Sequence, residues 1–370
     1  MNDSRLIRYE SIRLGEHEVP MLRRALMISL ALACTAAAGA PPQIGKPRPA
    51  PPGPSTMPPL TPAVIDPTLA IGGDAINAKK VESRMTVEVQ VNGRGPYHFV
   101  VDSGADTSAV GVRVARELEL PLGTPVILNN MTDRNIVDRV RVASLAFGPS
   151  TVSDLEVPAL HEENLGGEGM IGIDALVRQR LLIDYENKLI KVEDARKPPP
   201  HFTDEIIITA RLQHGQLILT QVKVAGLALD AVIDTGSEIT IGNLALRDKL
   251  MSRNLNKDWT VAATGVTGKT VDLQLGNIRV LKIGSITLNN VPIAFADVPP
   301  FRVFGLQDQP ALLLGTDILE AFRRVQLDFS ARKVRFQLRR CGTVAVPISS
   351  SPTSTLTRLS SSGDNSACGI

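Results

Sequence analysis

The chain has 370 residues, 40 Lys+Arg against 38 Asp+Glu, and a 43 % hydrophobic share with only 4 % aromatics. That is material for two ordinary domains, each with its own core built on Val, Ile, Leu and Ala. A net charge of +2, with no basic run and no interleaved aromatics, leaves no electrostatic footprint for nucleic acid, so no nucleic-acid partner is expected.

The first predicted element is an export signal. From Met21, Arg23 and Arg24 form a positive n-region, residues 25–33 an apolar h-region, and Ala36, Ala37 and Ala38 a small-residue cleavage site before Gly39. Residues 1–40 are therefore read as an upstream extension and signal peptide, and the protein as exported, to a periplasm or beyond. A span needs about 20 apolar residues, more than are present, so no stable membrane span is expected; an uncleaved anchor is the competing reading. Residues 41–74 read as a Pro-rich linker that cannot build a core. Cys34 leaves with the signal, and Cys341 and Cys368 remain as a possible disulfide or as two free thiols.

Two similar lobes follow, at 75–196 and 204–341, separated by a linker at 197–203 that holds Pro198, Pro199 and Pro200; 342–370 is a Ser/Thr-rich tail. Each lobe opens on an alternating strand and a turn glycine, Val87 to Gly93 and Thr220 to Gly226. Each continues into an apolar strand ending in Asp-[Ser/Thr]-Gly: Val100-Val101-Asp102-Ser103-Gly104 and Val232-Ile233-Asp234-Thr235-Gly236. Further on come Met170-Ile171-Gly172 and Leu313-Leu314-Gly315, then a short helical stretch and a hairpin. Four landmarks in one order make an internal repeat.

An Asp placed directly after a buried strand is costly unless its charge is compensated, and finding it at equivalent places in two lobes suggests that the two acids meet. Two ionised carboxylates about 3 Å apart would repel by roughly 5 kcal/mol at an effective dielectric near 20, so they share a proton over a wide pH range. The ionised oxygen then takes a proton from water while the protonated partner donates to a carbonyl. Ser103 and Thr235 are candidates to hydrogen-bond across the junction, and Gly104 and Gly236 to let backbone amides reach the acids. Asp174 and Asp317 read as helix N-terminal residues, and Asp184 and Asp328 as structural turn acids.

Other chemistries find no support. Residues 263–270 fit a loose phosphate-loop pattern, but the residues after them alternate like a strand instead of opening a helix. The G-x-G-x-x-G of residues 167–172 lacks a βαβ context. The five histidines show no metal spacing, and no G-x-S-x-G is present, so no metal and no cofactor are expected.

The doubled Asp-[Ser/Thr]-Gly and the later apolar-apolar-Gly resemble the pepsin/retropepsin superfamily of aspartic peptidases, in the tandem layout of exported bacterial members. The resemblance covers about 81–340. It implies an all-β fold of two retropepsin-like closed β-barrel lobes in tandem, each with one short helix, and a cleft between them. It implies an aspartic endopeptidase with catalytic Asp102 and Asp234, supported by Ser103, Gly104, Thr235, Gly236 and Ser237, the last orienting the second acid. Asp106 is carried over for contact with the substrate backbone, and the partner is a peptide or protein substrate. A flap is expected around Gly265 and Gly268 in the second lobe, whereas residues 129–135 of the first lobe lack both glycine and tyrosine. A cleft closed mainly from one side follows, as does a monomer acting as an intramolecular pseudo-dimer. The alternative is a non-catalytic peptide-binding or scaffolding module of the same fold.

Overall fold

A computed structural model describes residues 43–51, 64–65, 74–77, 79–81, 84–148, 150–176, 178–202, 204–251 and 260–339. The expected signal peptide, most of the linker, all three cysteines and the Ser/Thr-rich tail lie outside the described residues. Among the described residues, no helix is long and apolar enough to cross a membrane.

The described residues are mostly strand, folded as two six-stranded closed barrels of the same connectivity. In the first, Arg84–Val91 and Arg94–Val101 form a hairpin, and Arg139–Phe147 closes the barrel by pairing back onto Arg84–Val91. In the second, Gln216–Val224 and Leu227–Ile233 form the hairpin, and Thr270–Ile283 closes onto Gln216–Val224. The alternation seen in the sequence is what closes the first barrel. Val87, Val89 and Val91 are buried while Glu88 and Gln90 are exposed, so one face of the strand fills the interior. Asn92 and Gly93, both at positive φ, turn this hairpin, and Ala225 and Gly226 do the same in the second barrel.

A seam joins the barrels. The hairpin Gln179–Asp184 with Leu189–Asp194, from the first half, pairs with Phe322–Asp328 of the second, extending one sheet to 13 strands. Arg180 lies opposite Asp328, and Asp184 opposite Arg324. Each opposed pair is an ion pair, Arg180 Nε to Asp328 Oδ2 at 2.9 Å and Arg324 Nε to Asp184 Oδ2 at 2.6 Å. The two residues expected to be turn acids therefore bind the halves together as well.

Part of the expected linker also has a structural place. Arg48–Pro49 pairs antiparallel with Arg134–Val137, and Asp74–Asn77 pairs with Leu189–Asp194 at the edge of the seam sheet. A Pro-rich composition rules out a core, but an extended backbone can still add to an open strand edge.

Candidate active site

Each Asp-bearing loop leaves a strand that lies parallel to the apolar strand of its own lobe. Val101 sits beside Ile171, and Ile233 beside Leu314. The Asp102 amide donates to Ile171 O at 2.9 Å and the Asp234 amide to Leu314 O at 3.0 Å. These strands are buried on both faces, which is why they read as unbroken apolar runs and not as alternating ones.

The two loops meet across the barrels. Ser103 Oγ donates to Ile233 O at 3.0 Å and accepts from the Thr235 amide at 3.2 Å. Thr235 Oγ1 donates to Val101 O at 2.8 Å and accepts from the Ser103 amide at 2.9 Å. Both hydroxyls are buried and fully used, so the loops are fixed to each other rather than to solvent.

This brings Asp102 and Asp234 together, with a hydrogen bond between their carboxyls. Asp102 Oδ1 accepts from the amides of Gly104 at 2.7 Å and Ala105 at 3.0 Å. Asp234 Oδ1 accepts from Gly236 and Ser237, both at 3.0 Å. Ser237 thus reaches the acid through its backbone, while its hydroxyl donates to Ile239 O at 2.8 Å. A Cβ on Gly104 would lie 2.6 Å from Asp234 Oδ1, and one on Gly236 would overlap the Asp102 carboxyl. Gly236→Ala is accordingly expected to displace the pair, and any turnover that depends on the pair should fall by about 10²-fold, a loss that a misplacement near 1 Å can cause. Steady-state kinetics on a peptide substrate checks this.

Burial pushes Asp234 up to about 8; the charge of Asp102 adds to the rise, and the amides of Ser237 and Gly236 oppose it. Burial likewise pushes Asp106 up to about 6, against the lowering bond from Gln216. Asp317 is raised by burial to about 6 despite its bonds from Thr240, and Asp174 is raised from the same cause. All four hold protons when folded that an unfolded carboxyl releases near pH 4. Their contribution to stability is therefore complete below about pH 4 and is lost as pH rises, through about 6 for Asp106 and Asp317 and through about 8 for Asp234. The thermal midpoint should fall across that window, and Asp234→Asn should flatten the upper part of the fall. Melting curves across the pH range check it.

Asp174 and Asp317 do more than begin helices. Asp174 accepts from the Ser108 amide and hydroxyl at 2.9 and 2.7 Å, and Asp317 from those of Thr240 at 2.9 and 2.6 Å. Each anchors the loop that follows its lobe's acid of the pair. The recurrence of Gly-x-Asp in both halves was the available signal. Asp106, expected at the substrate backbone, is engaged by Gln216 Nε2 of the other half. No sequence period marks such a long-range partner.

Both halves supply a flap, which corrects the expectation of one-sided closure. Thr260–Thr264 and Thr270–Ile283 form the second, where the Gly265 amide donates to Lys269 O at 2.9 Å and Gly268 takes φ +84°. Val126–Asn129 and Arg134–Val137 form the first. Its turn needs no glycine: the Asn130 amide donates to Asp133 O at 3.0 Å, and Asn130 Oδ1 accepts from the amides of Thr132 and Asp133 at 2.8 and 3.1 Å, adding side-chain bonds that hold the turn. The tips touch. Thr267 Oγ1 donates to Asp133 Oδ1 at 2.8 Å and accepts from Asn130 Nδ2 at 3.0 Å, while Gly265 lies against Thr132. Gly265 and Gly268 thus shape a flap tip that meets the other flap. Met131 packs into the apolar cluster of the second half, and Val266 into that of the first.

Residues 87–178 match the family model described as "gag-polyprotein putative aspartyl protease", and residues 220–318 the one described as "Aspartyl protease". Together the matches cover just over half of the 370 residues. No curated protein matches the chain.

Proposed function

From a chain that belongs to the retropepsin-like aspartyl protease family, with two of its domains in tandem, we infer an endopeptidase that cleaves peptide bonds with one water activated between Asp102 and Asp234. The observation that carries the reading is the reciprocal junction, in which each acid is faced by the glycine of the opposite loop. Asp102, ionised, takes a proton from the water as its oxygen attacks the scissile carbonyl carbon. Asp234, protonated because burial raises it, donates to the carbonyl oxygen. The tetrahedral diol then collapses: Asp102 gives the proton it took to the nitrogen, a diol hydroxyl gives its proton to Asp234, and the C–N bond breaks to a carboxyl and an amine, restoring both acids. The amides on each Oδ1 keep the acids aimed through both steps, without reorganisation.

The two flaps enclose an extended chain from above, and their exchanged apolar tips keep water out of the closed site. One chain supplies both acids, so a monomer suffices. The segment from Met21 to Gly39 supports a site of action outside the cytoplasm. Incubation of the exported protein with an unfolded protein, from acidic pH to about 8, with product masses read, tests the proposal. Internal cleavage that vanishes in Asp102→Asn is expected, and activity should fall as pH rises through about 8. Binding of the chain without cleavage at any pH would favour a peptide-binding module and reject the endopeptidase.

A further inference from the structure

The segment before the first barrel reads Lys46-Pro47-Arg48-Pro49-Ala50-Pro51, with proline at every second position. In an extended strand, alternate residues point their amides to opposite edges. All three prolines therefore fall on one edge, which has no N–H to offer, while Arg48 and Ala50 present theirs on the other. Proline also biases the residue before it toward extended backbone, so this pattern favours a strand that pairs on one side only.

The flap of the first half receives that edge. Arg48 lies opposite Ile136 and Pro49 opposite Asn135, and the Ala50 amide donates to Arg134 O at 3.2 Å. Contacts are made at both ends of the flap strand. Near its base, the Gly45 amide donates to Asp138 Oδ2 at 2.7 Å, and Arg48 Nη2 lies 3.9 Å from Asp138 Oδ1. Near its tip, the Arg134 guanidinium donates to Pro51 O. Yet the segment is mostly exposed, with only Ile44 packed against the main core. It is fixed by a few polar contacts and little apolar burial, a combination that can release without unfolding a barrel.

We propose that residues 44–51 are a strap that adds in cis to the outer edge of the first-half flap and holds that flap, with Met131, down over the cleft. Release of the strap opens the flap to bulky protein substrates. The effect on turnover rests on the endopeptidase reading; the effect on the flap does not.

The test uses full-length Asp102→Asn protein, so that self-cleavage does not intrude. Ala50→Pro removes the donor to Arg134 O, and Arg48→Glu sets like charges against Asp138. Each should speed hydrogen exchange of the 126–137 segment by about tenfold, the scale of losing one to two net hydrogen bonds, and leave the 94–101 strand unchanged. Lys46→Ala, exposed and outside these contacts, serves as the control and should change neither. Unchanged exchange at the flap in both strap variants would overturn the proposal. In the active protein, Ala50→Pro should raise kcat/KM several-fold on an unfolded protein and less on a short peptide. A faster flap with unchanged turnover overturns the gating. A wild-type protein inactive on every substrate sinks the endopeptidase reading, while the exchange result still judges the strap.

Discussion

On the endopeptidase reading, Asp102→Asn and Asp234→Asn should each lower kcat/KM by about 10⁴-fold, the upper range for losing a general acid or base, and the double variant should be scarcely worse than either. In the proposed mechanism the acids serve one step. An amide at 102 cannot take the water proton, and an amide at 234 leaves the carbonyl oxygen without its acid. Neither change should unfold the junction, because the cross-bonds among Ser103, Thr235, Val101 and Ile233 do not involve the carboxyls. Mixing the two variants should restore nothing, since each chain holds one good and one bad acid in the same pair. Single-turnover assays on each protein and on the mixture decide the matter. Substantial turnover by either single variant defeats the shared pair, and recovery in the mixture defeats the intramolecular one.

Arg180→Leu destabilises the protein by about 3–5 kcal/mol, the loss expected when one partner of a buried ion pair is removed and the other stays buried. Arg180 and Asp328 are each 2 % exposed. Arg180 also donates to Lys197 O at 2.9 Å and approaches Glu193 at 3.5 Å, so its loss strands more than one acceptor. Asp328 keeps the Ala331 amide at 2.8 Å, which does not balance a full charge. Replacing both residues, Arg180→Leu with Asp328→Leu, should recover much of the loss, because a buried pair exchanged for apolar groups of similar volume is often near neutral. Urea denaturation measures both. A single variant within about 1 kcal/mol of wild type, inside the range of exposed pairs, would show that the seam does not depend on this contact.

What the sequence made legible were features written locally and twice. The alternating strands, the glycine turns, the paired Asp-[Ser/Thr]-Gly and the barrels they imply all have short-range patterns, and the repeat itself pointed to the junction of the acids. The rest was carried by contacts distant in sequence. Nothing near Asp184 or Asp328 announces that Arg324 and Arg180 lie across from them, because register between two hairpins of different halves leaves no period. The first flap carries no glycine signal because side-chain bonds from Asn130 support its turn. The strap was hidden in a stretch whose composition reads as tether, although its alternation of proline was there to be seen.

The seam has one further property. Arg180 and Asp184 of the first half answer Asp328 and Arg324 of the second in a head-to-tail exchange, so each half carries both members of a self-complementary pattern. Such a pattern does not distinguish the covalently attached half from the same surface on another molecule. What distinguishes them is local abundance. A short connector keeps the attached half at an effective concentration on the order of millimolar, so a second molecule competes only when the protein itself approaches that concentration. Discrimination between self and neighbour is thus delegated to the polypeptide link, and crowding the protein toward that threshold is the condition under which chains would begin to exchange halves.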